Sequence, residues 1–297
     1  MAHATQITEP LCEHGEGPVW FDGWGGLRWV DMLAGDVLAL RADGAVDRAH
    51  VGQVAALLRP RRAGGTLFAL ERGFATLPGT GDASWDGLHR GATPKEWGPE
   101  LWSDPGLRLN EGGCDPQGRL WCGSMAYDEG PGRGRVYRLD PDGTAVEAAA
   151  FGQVTISNGL GFSPDGSLAY YVDSATRRID VLDHDPERGP HGRRPLVQLP
   201  DGVGDPDGLA VDAEGHLWVA LWGGGAVHRY APDGALAGVV ELPVPRVTAC
   251  AFGGPGLTTL FVTTSRLATD TAAHPSAGAV FAAEVGVAGL PTLPYGG

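Results

Sequence analysis

The sequence predicts an all-β fold, a six-bladed β-propeller that forms one domain over residues 1–297. Three observations carry that prediction. Similar segments recur about every 40–50 residues, the period of a propeller blade. Within each segment, stretches such as RVYRLDPDG, RIDVLDHDP and AVHRYAPDG alternate apolar and polar residues at period two. The 48 Gly and 23 Pro are spread at turn-like intervals, with no low-complexity block.

Each unit follows one grammar. A short apolar segment leads to a D-x-x-G or P-D-G turn, then to a run such as LWCGSM, LAYYVD or LWVALW, then to an alternating stretch. Period-two runs bounded by DG and Gly clusters indicate strands joined by hairpins. Six units begin near Gly17, Val54, Gly112, Gly159, Gly208 and Ala249, and the second is the most degenerate. The long interval between the second and third reads as an extended loop, with Trp97 and Trp102 able to make it an apolar lid over the channel. No segment holds a helical period for more than two turns. The N-terminal stretch around Ala4 to Leu11 is expected to pair with GAVFAAEV of the last blade, closing the ring and removing sheet edges.

Composition limits the partners. A net charge of −14 repels phosphate backbones and anionic lipid, which argues against nucleic-acid and membrane partners. The start, MAHATQITEP, lacks a basic flank followed by an apolar run, and no stretch of about 18 apolar residues occurs, so a cytoplasmic protein is expected. Cys12, Cys114, Cys122 and Cys250 form no CxxC pair and read as small core residues. RPRRAGG (59–65) reads as a solvated hairpin, and GPGRGR (130–135) as a turn without the strand and helix of a phosphate cradle. No GxSxG elbow accompanies any serine.

One phase of the repeat is chemically distinctive. Eight residues before Gly118, Gly166 and Gly215 stand Asn110, Asn158 and Asp207, and Glu16 fits the same frame after a one-residue insertion. Asn or Asp before Gly is a common turn pair, so a single NG or DG such as Asn158-Gly159 or Asp207-Gly208 reads as a turn, a reading that explains Glu16 least. Three in phase, with Glu16 in the fourth, point to a site at one mouth of the channel, just before the inner strands. The second and sixth repeats put Ala56 or Leu57, and Thr248, near this phase, which leaves the ring polar on one side. Glu, Asn and Asp offer oxygen donors only, the set preferred by hard divalent cations such as Ca²⁺, Mg²⁺ and Mn²⁺. Zn²⁺ or Fe²⁺ would more often recruit His, and of the nine histidines only His14 stands near the set.

At these residues the sequence resembles the SMP-30/gluconolactonase/regucalcin family. The matching stretches are GEGPVW (15–20), RLNEGGCDPQGRLWCGSM (108–125), SNGLGFSPDG (157–166), DPDGLAVDAEGHLWVA (205–220) and CAFGGPGLTTLFVTT (250–264), in family order over almost the whole chain. The resemblance implies a six-bladed propeller with one divalent metal in its axial channel, Ca²⁺ foremost, with Mg²⁺, Mn²⁺, Zn²⁺ or Fe²⁺ as alternatives. It implies Glu16, Asn158 and Asp207 as metal ligands, Asp207 also as general base, and Arg108 and Asn110 as substrate contacts. Asp128 matches weakly a position over the pocket. Where many members read R-F-N-D-G this chain reads R-L-N-E-G, so Leu109 and Glu111 reshape the substrate wall.

The activity so implied is metal-dependent hydrolysis of a sugar lactone by a monomer or homodimer. Two rival readings remain: a propeller hydrolase of other esters, such as aryl esters or phosphotriesters, or a lactonase-like enzyme recruited to biosynthesis; and a non-catalytic calcium-binding propeller. Arg108 and Asn110, beyond the bare ligands, favour an enzyme.

Overall fold

The computed structural model describes residues 2–79 and 83–297. Its strands form six sheets of four antiparallel strands, five of them in sequential order and the sixth completed by the N-terminal Thr5–Gln6, with one parallel strand added to the fifth. The innermost strands are Gly15–Phe21, Ala55–Pro60, Leu107–Cys114, Ser157–Phe162, Asp205–Val211 and Val247–Gly253. Each of them packs beside the next, and the sixth beside the first, so that they line one axial channel. This is the predicted six-bladed β-propeller.

Apolar residues fill the spaces between blades. Six buried clusters lie one between each adjacent pair of sheets; that between the first and second blades joins Val30, Val37 and Trp24 to Leu58, Phe68 and Ala75. Alternation places every second side chain of a blade on each face, so both faces of every sheet are covered. All four cysteines are buried and free, as expected. Among the described residues, no helix is long and apolar enough to cross a membrane.

The D-x-x-G turns owe their recurrence to a structural carboxylate. Asp115 Oδ1 accepts the Gln117 and Arg119 backbone N–H groups, and its Oδ2 accepts Trp121 Nε1. Asp212 repeats the pattern with Glu214, His216 and Trp218. In both, the buried Asp ties the turn to the indole at the start of the next strand.

Ring closure follows the expected pairing and adds to it. Thr5 and Gln6 pair antiparallel with Ala282 and Phe281. Ala2 and His3 go further, pairing parallel with Val240 and Glu241 of the fifth blade. The long interval between the second and third units is more structured than a loop. It supplies the helix Ala83–His89 and the strand Lys95–Trp97, which is the outer strand of the second blade. RPRRAGG is not a free hairpin either. The C-terminal segment crosses the turn end of the inner strands, where Arg62 N–H donates to Tyr295 O (2.8 Å), Arg61 Nε to Gly297 O (2.9 Å), and Gly296 N–H to Gly118 O (2.8 Å). Tyr295 is fully buried there.

Candidate active site

Every inner strand carries a break in register at the same height. The breaks fall between Glu16 and Val19, Ala55 and Leu57, Leu109 and Gly112, Ser157 and Leu160, Pro206 and Leu209, and Val247 and Ala249. A β-bulge frees a residue from the ladder and re-aims its side chain. Asn110, Asn158 and Asp207 lie inside these breaks, with Ala56 and Thr248 completing the ring, and Glu16 is the last paired residue before its own. The in-phase set therefore sits within the inner strands, at bulges, rather than just ahead of them.

The glycines after Asn158 and Asp207 are not turn glycines. A Cβ on Gly159 would lie 2.6 Å from Leu209 N, and one on Gly208 would lie 2.5 Å from Ala249 Cβ. The next blade passes too close for any side chain, which explains the repeated N-G and D-G pairs.

Glu16, Arg108, Asn110, Asn158 and Asp207 line one cavity of about 470 Å³, and all five are buried. A directed hydrogen-bond chain orients them. Arg108 Nη1 donates to Asn110 Oδ1. Asn110 Nδ2 donates to Asn158 Oδ1 (3.0 Å) and to Ser157 O (2.8 Å). Asn158 Nδ2 donates to Ser174 Oγ (2.7 Å), which donates in turn to Pro206 O (2.6 Å). Each amide is thereby fixed with its oxygen and nitrogen assigned, and the Asn158 oxygen is held in the cavity.

Two further carboxylates set the backbone entering these strands. Asp31, at the end of the first blade's second strand, accepts His14 N–H (2.9 Å) and Glu13 N–H (3.2 Å). Asp173 occupies the equivalent place in the fourth blade, accepting Ile156 N–H (3.0 Å) and Thr155 N–H (3.1 Å). Glu16 and Asn158 follow two residues later. Sequence reasoning passed over both; the signal was the shared strand ending, LRWVD and LAYYVD.

The electrostatics are those of crowded, buried acids. Burial pushes Glu16 up to about 7, against the Gly17 N–H and Arg108, which favour its charged form. Asp207 is raised well above the usual carboxylate range by burial, then by Glu16 and Glu111. Its Oδ1 is buried with no hydrogen-bond partner. Burial, reinforced by Arg108, lowers His14 to about 3, so its imidazole is neutral. A divalent cation answers these features: it would neutralise Glu16 and Asp207, and use the orphaned Asp207 oxygen with the oriented Asn158 oxygen. Glu16, Asn158 and Asp207 could therefore hold such an ion.

Asp128 does not join this set. Its carboxylate is turned outward onto Arg133 (3.0 Å), and its side chain is 69% exposed. The neighbouring Glu129, at φ 55°, lines the cavity instead, as does Pro131 of the GPGRGR turn. Left-handed backbone at Glu129 reverses the chain between them. Trp97 and Trp102 do not line the cavity: Trp97 packs on Tyr295 (5.9 Å between ring centroids) and Trp102 on Tyr137 (5.3 Å). Glu111 lines a second chamber of about 390 Å³, reached from the other end of the channel with Arg59, Cys114 and Cys250. Burial and Glu16 raise its carboxyl, and its Oε2 has no partner. Asp212, Glu214 and His216 also lie close together, but on the turn already described, where Arg229 pairs with both carboxylates.

The model of one family, the SMP-30/gluconolactonase/LRE-like region, matches residues 14–266. The chain belongs to that family. Among curated relatives, it is 33% identical to the pentonolactonase of Haloferax volcanii, over 97% of this chain and 96% of the relative. It is 36% identical to the L-arabinolactonase of Azospirillum brasilense, over 99% of this chain and 96% of the relative. Among solved structures, the calcium-binding protein regucalcin of Agrobacterium tumefaciens superposes with a TM-score of 0.89 at 29% identity, covering 99% of this chain and 97% of that one. Both lactonases and the propeller align along nearly the full length, so the family match covers the blades as well as the site motifs.

Proposed function

We propose that this protein is a metal-dependent sugar lactonase. The observation that carries the proposal is the single cavity in which Glu16, Asn158 and Asp207 meet Arg108 and Asn110. The pentonolactonase and L-arabinolactonase relatives support the same reading.

The reaction adds water across the ring ester. The carbonyl carbon gains the water oxygen, the ring C–O bond breaks, and the ring oxygen leaves with a proton as a hydroxyl of the open hydroxy acid. A divalent cation held by Glu16, Asn158 and Asp207 would supply Lewis-acid polarisation of the carbonyl and lower the pKa of water nearby; Ca²⁺ does the latter less well than Mn²⁺ or Zn²⁺. Asp207, through the carboxylate oxygen that the cation would not use, takes the proton from the attacking water and is the general base. The ordered chain from Arg108 through Asn110 keeps a cation and N–H donors at the wall, where they bind ring hydroxyls and then the carboxylate product.

The test is hydrolysis of a panel of aldonolactones, followed by pH indicator, after chelator treatment and reloading with Ca²⁺, Mg²⁺, Mn²⁺, Zn²⁺ or Fe²⁺. Turnover that vanishes with chelator and returns with one ion is expected. Tight metal binding without turnover of any lactone would overturn the lactonase assignment and leave the binding-propeller reading.

A further inference from the structure

One polar group in the cavity wall has no place in the mechanism above. His14 is buried beside Glu16, with Nε2 3.8 Å from Glu16 Oε1, a separation beyond hydrogen-bond range. Its ring is held on three sides. The backbone N–H is clamped by Asp31 (2.9 Å). Trp222 meets the ring edge-on at 5.9 Å between centroids and 86°, and the Arg246 guanidinium lies 4.7 Å from the Trp222 ring on its own account. On the remaining side, Nδ1 lies 3.0 Å from Ser265 Oγ.

The surroundings of Ser265 decide which ring nitrogen carries the proton. Ser265 Oγ accepts Leu267 N–H (3.0 Å) and lies 3.1 Å from the carbonyl oxygen of Glu13, which can only accept. If Ser265 donates to Glu13, then His14 Nδ1–H donates to Ser265, and three hydrogen bonds form. The reverse tautomer forms two. The fuller network therefore leaves the lone pair of Nε2 facing the cavity.

We propose that His14 Nε2 is a fixed hydrogen-bond acceptor for a hydroxyl of the sugar lactone, and so selects polyhydroxy lactones over unsubstituted ones; this rests on the lactonase reading. A sugar hydroxyl both donates and accepts. Arg108 supplies donors at the wall; Glu129 and Asp205 offer acceptors at the solvent-facing rim, but the buried acceptors around the cage have other duties. Asn110 Oδ1 takes the Arg108 proton, and Asn158 Oδ1 takes that of Asn110. Glu16 and Asp207 serve the cation. The imidazole, fixed by Ser265 at Nδ1, offers an acceptor without adding negative charge to the cage. Removing such an acceptor costs more on a hydroxylated ligand than on one with nothing to donate.

The test compares wild type with His14→Phe and His14→Gln, all metal-loaded, on an aldonolactone and on unsubstituted γ-butyrolactone. In His14→Phe, kcat/KM for the aldonolactone should fall at least about tenfold further than that for γ-butyrolactone, chiefly through KM, and His14→Gln should restore part of the loss. Equal falls on both lactones would place the ring on the attacking water or in the packing, and overturn the proposal; so would no fall on either. If wild type opens neither lactone, the lactonase reading itself fails and takes this one with it. An independent readout is the nitrogen spectrum of the protein labelled with ¹⁵N-histidine. The signal missing from His14→Phe should show an unprotonated Nε2 that shifts when an aldonate is added. A protonated Nε2 in the metal-loaded protein would refute the assignment whatever the kinetics.

Discussion

Asp173 accepts the backbone N–H of Ile156 at 3.0 Å, two residues before Asn158 enters the cavity. The same carboxylate holds Thr155 N–H, so two consecutive peptide groups hang from one buried side chain. Asp31 makes the same pair with Glu13 and His14 ahead of Glu16. The fold thus repeats its positioning device as well as its blades. Removing Asp173 strands two backbone donors, so Asp173→Ala should cost about 1–3 kcal/mol in urea unfolding. Because Asn158 is aimed through that segment, metal affinity should also weaken about 10–100-fold, read by calorimetry. Unchanged affinity alongside lost stability would confine Asp173 to the scaffold.

The buried acids give the metal-free protein a pH dependence of definite sign. Glu16 rests at about 7 in the fold against an ordinary 4.5, and Asp207 and Glu111 are shifted the same way. The folded state therefore holds more protons than the unfolded chain between these values. Their contribution is fully present below about pH 4.5 and is lost as pH rises through about 7. Asp115 and Asp212 are lowered and act oppositely at more acid pH, and the lowered His14 opposes the raised acids up to about pH 6.5. The melting temperature of chelated protein should fall from pH 5 to pH 8, most steeply above about pH 6.5, where His14 no longer opposes the acids. A cation takes the place of the protons, so the stabilisation on adding metal should widen over the same range. A flat chelated profile would show that these carboxyls titrate normally.

In the proposed mechanism Asp207 and Arg108 divide the chemistry between them. Asp207→Ala removes a cation ligand and the proton acceptor together, and should lower kcat by about 10²–10⁴-fold or more. Arg108→Ala should act mainly on KM, raising it about 10–100-fold, the loss expected for charged hydrogen bonds to substrate. A fully active Asp207→Ala enzyme would sink the mechanism outright.

The blades and the polar residues that line the cavity were legible in the sequence because burial and chemistry leave periodic marks on it. Alternation showed the strands, and Asn110, Asn158 and Asp207 kept one phase against their turn glycines. The bulges that aim them were not legible, since a bulge changes register without changing composition. Gly159 and Gly208 read as turn residues, yet they serve close approach between neighbouring blades, a long-range contact no local pattern encodes. The second unit looked degenerate because it has Ala56 at its bulge and draws its outer strand, Lys95–Trp97, from beyond a helix. Tyr295 gave no sign that the C-terminal segment would lock the far end of the channel.

The rim acid differs by one residue from the position the family pattern implies. Asp128 is committed to Arg133 in solvent, whereas Glu129 lines the cavity and is among the acids acting on Arg108. Hydrolysis turns a neutral lactone into an anionic acid, so a carboxylate at the mouth opposes the product more than the substrate. Glu129→Gln should therefore tighten product inhibition by a few fold, up to about fivefold for an exposed charge, with KM for the lactone nearly unchanged. The effect should shrink at high salt, because the charge sits in water. Asp128→Ala should leave both constants within about twofold, as its ion pair is exposed. If Asp128→Ala shifts product inhibition and Glu129→Gln does not, the loop closes differently around substrate, and Asp128 swings inward when the site fills.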